Sequence, residues 1–539
     1  MSSRRATPRA AAAKPAQTEP PRLWIDAAVA ALVLAGVAYL ARAAVTPDGV
    51  AYFENAELFA RGHGWEAIQG YWSPGYSWLL MPVVWIARDD RALFLALAHL
   101  VQALLGGVAL WLSVAAVRKH VPAMAQRAVF WACAWIIVRW LTQELLTPDL
   151  LLCVVVLAFV SRFPASSVRD ELWLGLLAGA GFLVKTSIWP WLFAAAAIPL
   201  FRAWRARDYS TLPRRTMMIG ASIVAALTVV MSVHAGRPTL GSVGPLNAGW
   251  YLGDLDRRTP DTDRGPHATK TTMHIPISAS LPYHDLRGST RTYAPWSDPE
   301  AWARGIPAAS RPSLSVRQAL KSWTENASIV GRWMVPLGVG LAWCVLWLGA
   351  PASGTSRIEA LVDRPLLLVG VLGTLVFCAT HAETRLLAPS ALLCLLGAWP
   401  ATARFKSHER FAWALNVCML ATVVQLAMYV APLPQVLSEN VASEADRHRY
   451  LDEQLARRPV YGAIIYGPAV NWMGALWRHH MHVAVQIGAE GVAQLNGISQ
   501  NQRLEWFHER FGPEVLGVGE AVVHKVNGQV RADWEFIAW

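Results

Sequence analysis

A few ionisable residues stand at the ends of long apolar runs, and they are the natural place to look for chemistry. Thr46-Pro47-Asp48-Gly49-Val50-Ala51-Tyr52 follows directly on the first apolar run. Asp48 has two readings there: the N-cap of a helix opened near Pro47, or a general base at the boundary between water and lipid. On a helix over 48–60, Tyr52 lies one turn on and shares the face of Asp48. Glu54 and Glu57 then fall roughly 120° and 180° away, which puts both mainly in solvent. A second turn, Thr142-Gln143-Glu144-Leu145-Leu146-Thr147-Pro148-Asp149, carries Glu144 and Asp149 on either side of a break at Pro148. Asp149 is again a cap or a working acid, because an acid at the end of an apolar run is costly unless it is used or paired. The cations in such places are Lys185, Arg385 and Arg139. They either snorkel to lipid headgroups or neutralise a phosphate in a low-dielectric site. His381 adds a donor or is structural. Acids at 48, 144 and 149 could hold a divalent ion, although no ligand spacing demands one.

Composition says what must position these residues. The chain has 539 residues, 54% of them hydrophobic and 16% charged, with 27 Trp and a mean hydropathy of +0.30. Charged residues average roughly 25% of a soluble chain, so both disorder and a soluble multidomain enzyme are excluded. Six Cys lie inside apolar runs without metal-ligand spacing, as small buried residues do. Apolar runs cover about 24–45, 92–116, 127–140, 148–161, 172–184, 187–202, 216–234, 329–350, 365–379, 386–403 and 411–431. That is an α-helical polytopic membrane protein of about eleven spans.

Lys and Arg set the orientation. With the N-terminus in the cytoplasm, the cytoplasmic segments hold about 20 of them and the short outer segments about 5. The net charge of +11 therefore reports topology and not a nucleic-acid partner. Residues 1–23 form a basic cytoplasmic tail, and Ala41-Arg42-Ala43 resembles a cleavage pattern after a run long enough to remain an anchor. The membrane domain covers 24–431, with outer loops 46–91 and 235–328. Within the first loop, Trp72–Trp85 reads as an interfacial helix. The second loop carries Trp250, Tyr251, Tyr283, Tyr293, Trp296 and Trp302, which suit an aromatic belt or sugar stacking. Asn326-Ala327-Ser328 matches an N-glycosylation acceptor but abuts a span. Residues 432–539 alternate strand-like runs (460–466, 482–487, 522–526) with helical ones (443–457, 500–511), as a small extracytoplasmic α/β domain does.

The pattern Pro47-Asp48-x-x-x-Tyr52-x-x-x-Ala56, then Gly62, then Tyr71-Trp72-Ser73-Pro74-Gly75-Tyr76, resembles the first outer loop of the GT-C glycosyltransferases. That superfamily includes protein O-mannosyltransferases and lipid A aminoarabinose transferases. The resemblance implies a GT-C-like bundle, an outward-facing site and a polyprenyl-phosphate-linked sugar donor. It maps the catalytic acid onto Asp48, and it implies phosphate-binding roles for Arg385, Lys185, His381 and Arg139. Glu144, Asp149 and Glu54 become secondary acids, and Tyr52, Tyr71, Trp72 and Tyr76 become contacts for sugar or acceptor. Gly49 stands where the family often has a second, adjacent acid. The implied reaction is an inverting sugar transfer to an envelope acceptor at the plasma membrane, with a divalent metal left open and no organic cofactor. A glycan polymerase or ligase is the nearest alternative, followed by a lipid-linked oligosaccharide flippase or scaffold. Candidate charges clustered at outer ends favour surface chemistry over a path through the bundle.

Overall fold

A computed structural model describes residues 23–117, 130–138, 146–163, 165, 167–252, 270–275, 278–285, 291–299, 315–334, 364–402, 447–449, 451–453, 455–456, 462–466, 473–487, 515–519, 523–526, 529–532 and 537–538. Arg139, Glu144, the run 411–431 and the helical stretch 500–511 lie outside these residues, as do the tail up to 22 and 335–350.

Helices dominate the described chain. They are α1 (Leu23–Leu40), α2 (Pro47–Ala60), α3 (Pro74–Ala87), α4 (Arg91–Val117), α5 (Asp149–Ser161), α6 (Val168–Val184), α7 (Trp189–Ala206), α8 (Arg214–Ala235), α9 (Val316–Met334), α10 (Pro365–Ala379), α11 (Thr384–Thr402) and α12 (Met473–Arg478). Val243–Leu252, the helical stretch 130–138 and shorter turns are left unnumbered. Two helices among the described residues are long and apolar enough to cross a membrane, Arg91–Ala116 and Arg214–Ala235. Only 11% of the second one's apolar window is buried, and Met217, Met218, Val229 and Val233 face outward. An apolar helix with so exposed a surface suits lipid and not water. Trp24–Leu40, Asp149–Ser161, Pro365–Ala379 and Arg385–Gly397 are apolar but shorter.

Most helix bounds follow the apolar runs, and one does not. The run expected from 329 begins as helix at Val316. Residues 316–328 are amphipathic, so an apolar window passes over them.

A six-stranded sheet runs in the order β1-β2-β4-β3-β5-β8, and β6 pairs with β7 separately. Here β3 is Gly462–Tyr466, β4 His482–Ile487, β5 Val515–Gly519, β6 Val523–Val526, β7 Gln529–Ala532 and β8 Ile537–Ala538. The centre is parallel: β3 pairs with both β4 and β5, and α12 makes the crossover between β3 and β4, as a βαβ unit requires. The first two strands, β1 (Lys270–Ile275) and β2 (Ser278–Asp285), come from the stretch read as an outer loop. Residue β2 His284 pairs with Gln486 of β4.

Two apolar clusters result. One fills the bundle around α5, α7, α10 and α11, with Leu152, Cys153, Trp191, Leu367 and Leu392. The other lies at the outer end, where Tyr52, Phe53, Trp72, Tyr76, Phe94 and Trp477 meet. Helix α2 is therefore packed on several sides rather than lying on a surface. Phe53 contacts Phe94 of α4 and Trp477 of α12, with ring centroids 4.8 and 5.2 Å away.

Candidate active site

Asp48 enters the site because of the residues around it. Pro47 occupies the first helical turn of α2, where its missing N–H costs nothing. Thr46 is the N-cap, and its hydroxyl accepts from the Gly49 N–H at 3.2 Å. The capping role is thus filled and the Asp48 carboxylate is left for other partners. Gly49 is tightly packed: a Cβ there would stand 2.8 Å from Val45 Cγ2 and 3.1 Å from the Leu146 carbonyl. A side chain adjacent to Asp48 would have to displace Val45 and press on the second outer turn.

The Asp48 carboxylate meets Arg385, which lies in the first turn of α11. Arg385 donates through Nη1 to Asp48 and through Nε to Glu383 at 2.5 Å. His381 Nε2 donates to the other Glu383 oxygen at 2.7 Å. Beside this chain, Lys185 Nζ donates to Asp149 Oδ1 at 2.7 Å. Lys185 follows the last turn of α6 and Asp149 opens α5. Neither cation snorkels outward; both turn in to carboxylates. Asp149 caps nothing with its side chain. It is 1% exposed, and its Oδ2 has no hydrogen-bond partner among the described residues.

Three helix N-termini, those of α2, α5 and α11, converge on this point, and each presents the positive end of its dipole. A site of that kind favours anions. The effect on Glu383 shows which influence dominates. Burial would raise its carboxyl, but the hydrogen bond from His381 and the charges of Arg385, His381 and Lys185 hold it well below the usual carboxylate range. Tyr52 closes the site from below. Burial first, then the carboxylates of Asp149 and Asp48, push its phenol well above its usual value and keep it neutral.

A glycine helps to seat Lys185. A Cβ on Gly75 would stand 2.8 Å from the backbone of Leu183. The Ser73-Pro74-Gly75-Tyr76 segment therefore lets α3 press directly on the chain just before Lys185. Gln102 on α4 reinforces the floor, with Nε2 donating to Tyr76 Oη at 2.9 Å and to the Thr147 carbonyl at 2.6 Å.

Of the residues singled out from the sequence, Asp48, Asp149, Lys185, His381, Arg385 and Tyr52 come together. Four other expectations need correction. Glu54 and Glu57 are not in solvent. Glu54 is buried and accepts from Thr292 N and Ser297 Oγ, both at 2.5 Å, with Arg291 at 3.9 Å. Glu57 takes Arg91 on both oxygens, at 3.1 and 2.9 Å. The 3.6-residue period gave their direction correctly, but that direction faces the outer segments instead of water. As sugar contacts, Trp72 and Tyr76 lack free faces. Trp72 and Tyr76 pack edge-on against Tyr52 at 5.2 and 5.5 Å, Trp72 Nε1 donates to the Trp296 carbonyl, and Tyr76 is fully buried. Tyr52 also belongs to this core, with its phenol turned toward the acids. Tyr71 is half-buried. The metal set of Asp48, Glu144 and Asp149 stays an expectation, because Glu144 lies outside the described residues; Asp48 and Asp149 face cations.

Glu383 escaped the sequence reading. Its only signal was its place in the polar turn between two apolar runs, two residues from Arg385.

In comparison with known proteins, the chain is similar to the solved structure of ArnT from Cupriavidus metallidurans bound to undecaprenyl phosphate. The identity is 15% and the TM-score 0.41, over 92% of this chain and 93% of that chain. No family model and no curated protein matches the sequence.

Proposed function

We propose that the chain is a membrane glycosyltransferase of the GT-C kind, moving a sugar from a polyprenyl-phosphate-linked donor to an envelope acceptor outside the membrane. The observation that carries this reading is the pairing of Asp48 with Arg385, beside the pair of Lys185 with Asp149. Each pair sets a carboxylate against a cation at the convergence of three helix N-termini. A donor phosphate entering there competes for the two cations, as phosphate readily does with Arg and Lys. Once Arg385 turns to the phosphate, Asp48 is free to act.

In the step proposed, Asp48 takes the proton of the acceptor hydroxyl. The hydroxyl oxygen attacks the anomeric carbon on the face opposite the phosphate, so the configuration inverts. The bond from the anomeric carbon to the phosphate oxygen breaks, and that oxygen leaves with the electron pair. Arg385 and Lys185 neutralise the charge that develops on it. His381 can donate to the same phosphate, and the neutral Tyr52 phenol remains a proton donor beside the acids. The protonated Asp48 then returns its proton to water. The sequence resemblance in the first outer loop supports the same assignment of Asp48.

The test is Asp48→Asn, assayed as transfer from a lipid-phosphate-linked sugar in membranes. The substitution keeps the size and leaves an acceptor for Arg385. Loss of the base should lower turnover by about 10²–10⁴ with the protein still folded. Near-normal transfer by a well-expressed Asp48→Asn protein would remove the base role.

A further inference from the structure

The turn 380–383, which carries His381 and Glu383 into Arg385, joins two apolar helices and needs support. Helix α10 ends at Ala379, so its last carbonyls lack partners within the helix. They are met by α9. Asn326 is 4% exposed. Its Nδ2 donates to the carbonyls of Cys378 at 3.0 Å and Thr380 at 3.3 Å, and its Oδ1 accepts from the Ala382 N–H at 3.0 Å. One turn earlier on the same helix, Trp323 Nε1 donates to the Ala379 carbonyl at 2.7 Å. Backbone groups of residues 378, 379, 380 and 382 are thus all held from one helix face.

The chemistry of this contact is specific. A carboxamide offers two donors and an acceptor on one short stem. Aspartate keeps the acceptor and lacks the donors, and an apolar residue offers neither. The amide nitrogen is also occupied, so Asn326-Ala327-Ser328 is a structural element and not a glycan acceptor.

We propose that Asn326 is a positioning residue for the phosphate-binding turn. It fixes the backbone from which His381, Glu383 and Arg385 reach one another, and so the direction in which Arg385 faces Asp48 and the donor phosphate. The inference rests on the phosphate-binding reading given above. Asn326 itself touches neither phosphate nor sugar.

The test uses the full-length protein in nanodiscs, titrated with undecaprenyl phosphate. Wild type, Asn326→Asp, Asn326→Ala and Arg385→Ala are compared, and each affinity is scaled to the folded fraction. Asn326→Asp has the same shape, so packing is kept. It should bind about tenfold more weakly than wild type at pH 7, or ~1.4 kcal/mol. The ratio to wild type should recover as pH falls toward 5, where the buried carboxyl takes up a proton and regains a donor. Asn326→Ala should be weakened at every pH. Wild-type affinity in both Asn326 variants, with affinity lost in Arg385→Ala, overturns the positioning role and leaves the phosphate site standing. A pH-independent loss in Asn326→Asp also overturns it. Failure of the wild type itself to bind the lipid phosphate overturns the phosphate reading and this inference with it.

Discussion

Helix α2 carries acids at both ends, and the two ends are built in opposite ways. At the N-terminal end, Asp48 joins Arg385, Glu383 and His381, with Lys185 and Asp149 alongside. At the C-terminal end, Glu57 holds Arg91, which also donates to the Trp477 carbonyl and lies 4.7 Å over the Trp477 ring. Burial raises a carboxyl at both ends. At Glu383 the cations and the histidine outweigh it, and the group is driven well below its usual range. At Glu57 burial outweighs Arg91, and the group is raised. At the first end Arg385 and Lys185 sit against carboxylates that an incoming phosphate can displace. The second is an anchor that fastens the sheet-bearing domain to α2 and α4. One helix thus carries the proposed site at one end and the attachment at the other.

The strongest way to break this contrast is at Arg385. Its Nη1 and Nε serve Asp48 and Glu383 at once, a fork that an ammonium group cannot reproduce. Arg385→Ala should lower transfer by about 10²–10³, and Arg385→Lys should restore little of it. Rates measured against donor concentration check this, and a near-wild-type Arg385→Lys would show that only a point charge is needed. At the other end the expected loss is of stability. Arg91→Ala strips Glu57 of its partner and Trp477 of its cation, and should cost about 3 kcal/mol. Turnover per folded molecule should stay close to wild type. Thermal melts and active-fraction titration separate the two, and a hundredfold fall in turnover at unchanged Tm would erase the distinction between the ends. Glu57→Gln sharpens it further. Because burial already works against the Glu57 charge, a neutral acceptor facing Arg91 should shift stability by less than about 1 kcal/mol, as read from denaturation midpoints.

Much of this was legible in the residues themselves. The apolar run 365–379 became Pro365–Ala379, and 148–161 became Asp149–Ser161, because apolar length is a local property. The site was legible to the extent that ionisable residues were rare at the run ends. Asp48, Asp149, Lys185 and Arg385 stood out as exceptions. Pairing was not legible: Asp48 and Arg385 lie 337 positions apart, and nothing local selects that partner over water. The same limit hid Glu54, whose partners Thr292 and Ser297 come from a distant segment. It also hid β1 and β2, whose place beside β4 is a matter of register across about two hundred residues. Asn326 was visible only as a glycosylation pattern, because its function lies in backbone groups that sequence does not label.

The mildest expected effect concerns how the anchored domain responds to pH. His448 lies against His479, with their ring nitrogens 3.3 Å apart, and a hydrogen bond to the Ala43 backbone reaches the outer end of α1. Burial, followed by the charges of Arg478 and His479, lowers His448 to about 3. An unfolded histidine titrates near ~6.5. Between these values the unfolded chain binds a proton that the folded chain refuses, so stability falls as pH drops below about 6.5 and the loss is complete near the folded value. Asp452 faces His479 at 3.6 Å and opposes the effect there. His479, His480 and His482 are lowered too, so the whole slope belongs to several groups and only a difference isolates one. His448→Gln should flatten the fall of Tm between pH 7 and 5 by about one proton's share, ~1.4 kcal/mol per pH unit at most. It should leave the affinity for lipid phosphate unchanged at pH 7. An unaltered slope would move the pH response of this domain from His448 to its neighbours.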